Sequence, residues 1–297
     1  MSGNPLWSRH RNALSALNFF CAMNTSLVVL TDFSAVANRA LTYAAELALP
    51  LDANLVLLHV RYDPLLGSPD EGGSHFARRQ HQKTERALVM LAADQSVPTT
   101  VDVADGVLSE AVKETVRRHH PLLLVLARAG LNASDAKMAT RTAMDLLRYA
   151  PHPLLVVPDA SPATAPPCRL LLAVDGEPFH VHAYQHVLRR LLAASVATLE
   201  VVHVTAEQDY RPSEEAVLKT VRANNLVDAL PEATLHDVYH ATAVGGVLKE
   251  AARQGADLLV VVARRRSFFG RLFHRSVTAQ LLEQSPIPVL VLPAEEE

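Results

Sequence analysis

Cysteine is nearly missing from this 297-residue sequence: only Cys21 and Cys168 occur. Two cysteines outside the periodic segments encode neither a disulfide framework nor a zinc–cysteine site, which fits a reducing compartment such as the cytoplasm. Apolar runs long enough to span a bilayer are also missing, since none reaches the roughly 18 residues required. There is no excess of positive charge. The formal net charge is -3, which argues against wholesale affinity for nucleic acid or membrane and leaves room only for local patches. Several motifs are absent as well: GxxxxGK[ST], G-x-S-x-G, CxxC and HExxH, together with the SGG and HxGH loops of adenylylating enzymes. No side-chain set pairs a nucleophile with an evident base, so the expectation is a non-enzyme.

What is present is a globular composition, 49% apolar and 20% charged, long enough for two domains. The opening stretch MSGNPLWSRHRNALSALNFFCA has basic residues and a weakly apolar segment interrupted by Asn12, Ser15 and Asn18. A signal peptide needs an unbroken apolar core, so this stretch is read as an extension, with Met23 as an alternative start.

From there the chain is written twice. LVVLTD (27–32) returns as LLLAVD (170–175), and LVLLHV (55–60) returns as LEVVHV (199–204). LLLVLAR ending at Arg128 returns as LLVVVAR ending at Arg264, and LLRYAPHPLLVVP ending at Pro158 returns as LLEQSPIPVLVLP ending at Pro293. Four matches in one order, offset by 135 to 144 residues, indicate a duplicated domain. The expected units are 24–158 and 169–297, joined by the proline- and alanine-rich DASPATAPPC.

Short aliphatic runs at 27–31, 55–60, 99–104, 122–127 and 153–157 predict buried strands. Amphipathic stretches separate them. Ala37, Leu41, Ala44 and Ala48 share one helical face behind a Ser34 N-cap, and Leu108, Val112 and Val116 share another. Strands alternating with helices predict an α/β fold, a parallel sheet covered on both faces in each unit. In such sheets a ligand sits outside the carboxyl ends of the strands, where the strand order reverses. Asp32 and Asp175 each end a first strand there. Each suits a base amine or ribose hydroxyl, or simply caps a turn.

These residues carry a resemblance. SLVVLTDFSAVANRALTYAAELA, LLHV and PHPLLVVP in the first repeat resemble the universal stress protein family, as do LLLAVDG, VVHV, GADLLVVVARRRS and SVTAQLLEQSPIPVLVLP in the second. The resemblance runs from Thr25 to Pro293. It implies two tandem five-stranded sheets of order 3-2-1-4-5 and a regulatory or binding role in the stress response. Its ATP-binding members carry Gly-x-x-Gly-x9-Gly-Ser/Thr after strand four, with an aspartate after strand one and a valine after the strand-two histidine at the adenosine. Carried over, these imply Thr31, Asp32 and Val60 in the first repeat, and Val174, Asp175 and Val204 in the second.

The glycine motif is degraded. The first repeat offers Ala127-x-x-Gly130-x9-Thr140 followed by Arg141. The second offers Val262-x-x-Arg265-x9-Arg275-Ser276, or Ala263-x-x-Arg266-x9-Ser276 one residue on. Without glycines, backbone amides lose their close approach to phosphate oxygens. Adenine nucleotide is therefore expected to bind weakly or not at all, least of all in the second repeat. The alternative that the resemblance leaves, and that an intact glycine motif would favour, is an ATP binder with slow hydrolysis. The stretch RRRSFFGRLFHR (264–275) is read as a degraded loop with residual anion affinity. Its other readings are a solvated surface or, with Phe268, Phe269 and Phe273 among the cations, a single-strand nucleic-acid patch.

Two further expectations concern other residues. His182 and His186, four apart, are read as surface histidines rather than metal ligands. His59 and His203 are read as packing residues. The last strands, PLLVVP and PVLVLP, carry no charge although they lie at a sheet edge in the implied order, so they are expected to pair within one chain as a pseudo-dimer. Protein partners beyond that are not encoded.

Overall fold

The computed structural model describes residues 25–61, 73–130, 133–159, 161, 165–205, 213–224, 226, 234–264 and 276–295. In the first half the chain runs β1 (Thr25–Leu30), α1 (Ala35–Leu51), β2 (Ala53–Arg61), α2 (Gly73–Ala93), β3 (Thr99–Asp105), α3 (Leu108–His119), β4 (Leu123–Arg128), α4 (Ala133–Tyr149) and β5 (Leu154–Pro158). The second half repeats the plan with β6 (Arg169–Val174), α5 (Gln185–Ser195), β7 (Thr198–Thr205), α6 (Glu214–Ala223), β8 (Leu235–Tyr239), α7 (Ala243–Gln254), β9 (Leu258–Ala263), α8 (Val277–Gln284) and β10 (Val289–Pro293).

All strands of each half are parallel, in the order 3-2-1-4-5. The two sheets do not stay separate. They fuse into one ten-stranded sheet, β3-β2-β1-β4-β5-β10-β9-β6-β7-β8. The fusion is antiparallel, with Val156 opposite Val289, Leu155 opposite Leu290 and Leu154 opposite Val291. Each charge-free edge thereby satisfies the other's backbone groups.

Alternation along the strands builds two cores. Leu27, Val29, Leu55, Leu57, Leu155, Leu172 and Leu290 pack with α1 and α5 on one face. Val28, Leu30, Val56, Leu58, Val156, Leu171 and Val291 pack with α4, α7 and α8 on the other. Each core runs across the seam, so neither half has a private interior on either face. The predicted α1 stripe of Ala37, Leu41, Ala44 and Ala48 is buried, and the Ser34 hydroxyl accepts from the Ala37 amide at 3.1 Å.

The seam has polar fittings too. The His152 Nε2 lies 2.8 Å from the Pro121 carbonyl, and its ring meets Tyr184 edge-on at 5.9 Å. Burial drives the His152 pKa down to about 4, against the Pro121 carbonyl that favours the charged form, with nearby His186 adding to the fall. The unfolded imidazole protonates near pH 6.5. Below that pH the unfolded chain holds the extra proton, so this residue lowers stability until the pH passes about 4. Between pH 7 and 5 the loss amounts to about 2 kcal/mol. Urea titrations at both pH values should show it, and His152→Gln should remove that part of the difference; an unchanged difference contradicts the assignment.

Candidate functional site

Strand order reverses between β1 and β4, which pair with Leu27 beside Leu123. At the carboxyl ends of β1, β2 and β4 the structure opens a cleft of about 700 Å³. Thr31 and Asp32 line it from the end of β1, Val60 from β2, and Ala127 and Ala129 from the end of β4. The turn from β1 into α1 is held by its own side chains. The Phe33 amide donates to Thr31 Oγ1 at 3.2 Å, and the Ser34 amide donates to Asp32 Oδ1 at 2.9 Å. This winding puts Phe33 at φ 66°, a left-handed conformation costing a residue with a Cβ roughly 1–2 kcal/mol. The Phe33 ring packs tilted against His59 at 4.9 Å, and the His59 Nδ1 lies 2.8 Å from the Thr31 carbonyl. His59 thus braces the turn. Burial opposes ionisation of Asp32, but hydrogen bonds from Ser34 and the nearby His59 outweigh it and hold the carboxyl below its ordinary range.

The opposite wall was not legible as a site. Gly106, Val107 and Leu108 form it at the start of α3, and Asp135, Met138 and Thr142 of α4 close the end. Gly106 sits at φ 104°, where a side chain is strained, and its amide donates to the Arg61 carbonyl. Val107 is 63% and Met138 73% exposed, which leaves an apolar mouth. Three carried-over residues do not line the cleft. Gly130 has no left-handed φ, and among the described residues no atom stands within 4 Å of where a Cβ would be. Thr140 is buried with no partner for its hydroxyl among the described residues, and Arg141 is exposed.

The second half departs from this plan. Its strand pairing sets Leu258 beside Leu170 as Leu123 stands beside Leu27. Arg128 therefore corresponds to Ala263, and Arg264 to Ala129, one residue off the match suggested by the letters. Side chains of successive residues point to opposite faces, so the two arginines do different work. Arg128 is buried in the seam, where its Nη1 donates to the Glu283 carbonyl at 2.7 Å and its Nη2 to that of Ser285, at the end of α8. Arg264 instead reaches the place that Ala129 leaves open. It binds Asp175 Oδ1 and Glu177 Oε2, each at 2.7 Å, and the Glu177 carbonyl. Val174 ends β6 beside them. Val204 lies under α7, where a Cβ on Gly246 would come 2.6 Å from its Cγ1. Ser276 begins α8 with its hydroxyl buried and unpartnered among the described residues. The same pairing aligns Val262 with Ala127, the first of the two registers considered for the degraded motif. Arg265, Arg266, Arg275, Phe268, Phe269 and Phe273 lie outside the described residues.

The model of the universal stress protein family matches residues 23–158 and again 168–293. This chain belongs to that family. Solved structures agree on the fold. A universal stress protein from Archaeoglobus fulgidus DSM 4304 is 16% identical, with 90% of this chain and 98% of that one covered, at a TM-score of 0.66. A functionally unknown protein from Pseudomonas aeruginosa PAO1 is 18% identical, over 92% and 94% of the two chains, at a TM-score of 0.53. Comparison with curated proteins gives no match.

In this universal stress protein His182 lies in a short 3-10 turn and His186 in α5, so they do not share one helix face. His182 stacks on His180, with ring centroids 5.6 Å apart. Among the described residues no group of three or more His, Cys, Asp or Glu stands close enough to hold a metal ion, and no helix is long and apolar enough to cross a membrane. His203 is buried, with Nδ1 3.4 Å from Asp237.

Proposed function

We propose that this chain is a non-enzymatic binding and regulatory protein of the cytoplasmic stress response, built from duplicated units 24–158 and 169–297, with one working ligand site. That site is the first-half cleft, and its ligand is an adenine nucleoside or nucleotide held weakly. Val60 and Ala127 offer apolar contact to a planar base, and the Asp32 carboxylate accepts from an amine or a ribose hydroxyl. The cleft's described lining offers hydroxyls and carboxylates but no histidine or lysine to activate a nucleophile. The observation that carries the one-site reading is Arg264, which binds the second-half aspartate from the position left open by Ala129 in the first half.

Calorimetry on the full chain tests it. Adenosine should bind once per chain, with a dissociation constant above about 10 µM, equivalent to less than about 7 kcal/mol. Asp32→Ala should weaken binding at least about tenfold, while Asp175→Ala leaves it unchanged. Loss of binding in Asp175→Ala alone would place the ligand in the wrong half and sink the reading.

A further inference from the structure

We infer that the first-half cleft selects the uncharged nucleoside over its phosphates, so that each added phosphate weakens binding. This rests on the cleft being the adenine site. The charged residues of its described lining are Asp32 and Asp135, with no lysine, arginine or histidine. A polyphosphate entering it would meet like charge and no counter-ion in the lining.

Three arginines around this end of the sheet are committed elsewhere, and Lys137 and Arg141 of α4 are exposed and outside the lining. Arg61, at the end of β2, pairs with Asp105 at 2.8 Å. Arg128, at the end of β4, is turned into the seam toward Glu283 and Ser285. Arg39 on α1 pairs with Asp159.

Helix N-termini favour anions, and α1, α3 and α4 all start at this end of the sheet. At the β1–α1 turn that advantage is already taken by the protein. Amides in and after the β1–α1 turn donate to Thr31, Asp32 and Ser34 side chains. The first turn of α3 carries Glu110, and that of α4 carries Asp135. At the β1–α1 turn a phosphate would compete with these internal oxygens, and at α3, whose N-cap Val107 makes no side-chain hydrogen bond, it would meet Glu110 in the first turn. The rest of the described lining is mostly apolar, which suits a base and a sugar.

The test compares adenosine, AMP and ATP by calorimetry on the full chain at one ionic strength. Adenosine should bind at least about tenfold more tightly than ATP, with AMP between, a gap of about 1.4 kcal/mol. Asp135→Asn, at an exposed position whose fold can be checked by circular dichroism, should narrow that gap by tightening ATP more than adenosine. ATP binding as tightly as adenosine, or a gap unmoved by Asp135→Asn, overturns the selectivity and leaves the adenine site standing. No binding by any of the three overturns the adenine reading itself, and this inference with it.

Discussion

Aspartates at both Val156 and Leu290 should abolish the cooperative fold of the full chain. Val156 is 1% and Leu290 0% exposed, and they lie on the two strands of the antiparallel seam. Val156 faces one core and Leu290 the other, so each substitution would bury a carboxylate without a counter-ion. Burying even a neutral polar group unpaired costs on the order of 1–3 kcal/mol, and an ionised one considerably more. The lost aliphatic packing adds roughly 2–5 kcal/mol per site. Against a typical total of about 5–15 kcal/mol, two such changes exceed what a domain can absorb. Circular dichroism and size exclusion should report unfolding, aggregation or separated halves. A double variant that keeps its compactness and its urea midpoint contradicts a seam that joins the two cores.

Replacing Arg128 should also cost much, for a different reason. Its guanidinium donates to two carbonyls at the end of α8, on the other side of the seam. Burial pushes the arginine pKa down, with Glu283 partly opposing, so this cation carries a desolvation penalty that its partners must offset. Alanine would relieve that penalty but strand the carbonyls of Glu283 and Ser285, the latter fully buried, and open a void the size of the side chain. The stranded acceptors decide the sign. Arg128→Ala should lose about 3 kcal/mol by urea titration, and Arg128→Lys, which cannot span both carbonyls, should recover less than half. A loss below about 1 kcal/mol would mean that Arg128 does not fasten the halves.

The duplication and the buried parallel strands were legible because they follow from bulk patterning, whereas the strand order within each half, and with it the edges that meet at the seam, was implied by the family resemblance. Near-continuous aliphatic strands have one stable use, a sheet covered on both faces, and two charge-free edges such as LLVVP and VLVLP require covering. The site was legible only in part. Thr31, Asp32, Val60 and Ala127, which the resemblance singles out, line one cleft. The Ala-Arg pairs closing LLVLAR and LLVVVAR align by letter, yet hydrogen-bond register displaces them by one residue. A displacement of one turns a side chain to the other face of a sheet. No composition or spacing distinguishes an arginine that fastens a seam from one that fills a cleft. The Gly106 wall was hidden because a positive φ at a strand-to-helix turn leaves no periodic trace.

A crystal structure of the full chain grown with adenosine tests the one-site account most directly. The account predicts density for one nucleoside between Val60 and Ala127, its hydrogen-bonding edge or ribose on Asp32, and Arg264 still bound to Asp175 and Glu177. Density beside Asp175 with Arg264 displaced, and an empty first-half cleft, would contradict it.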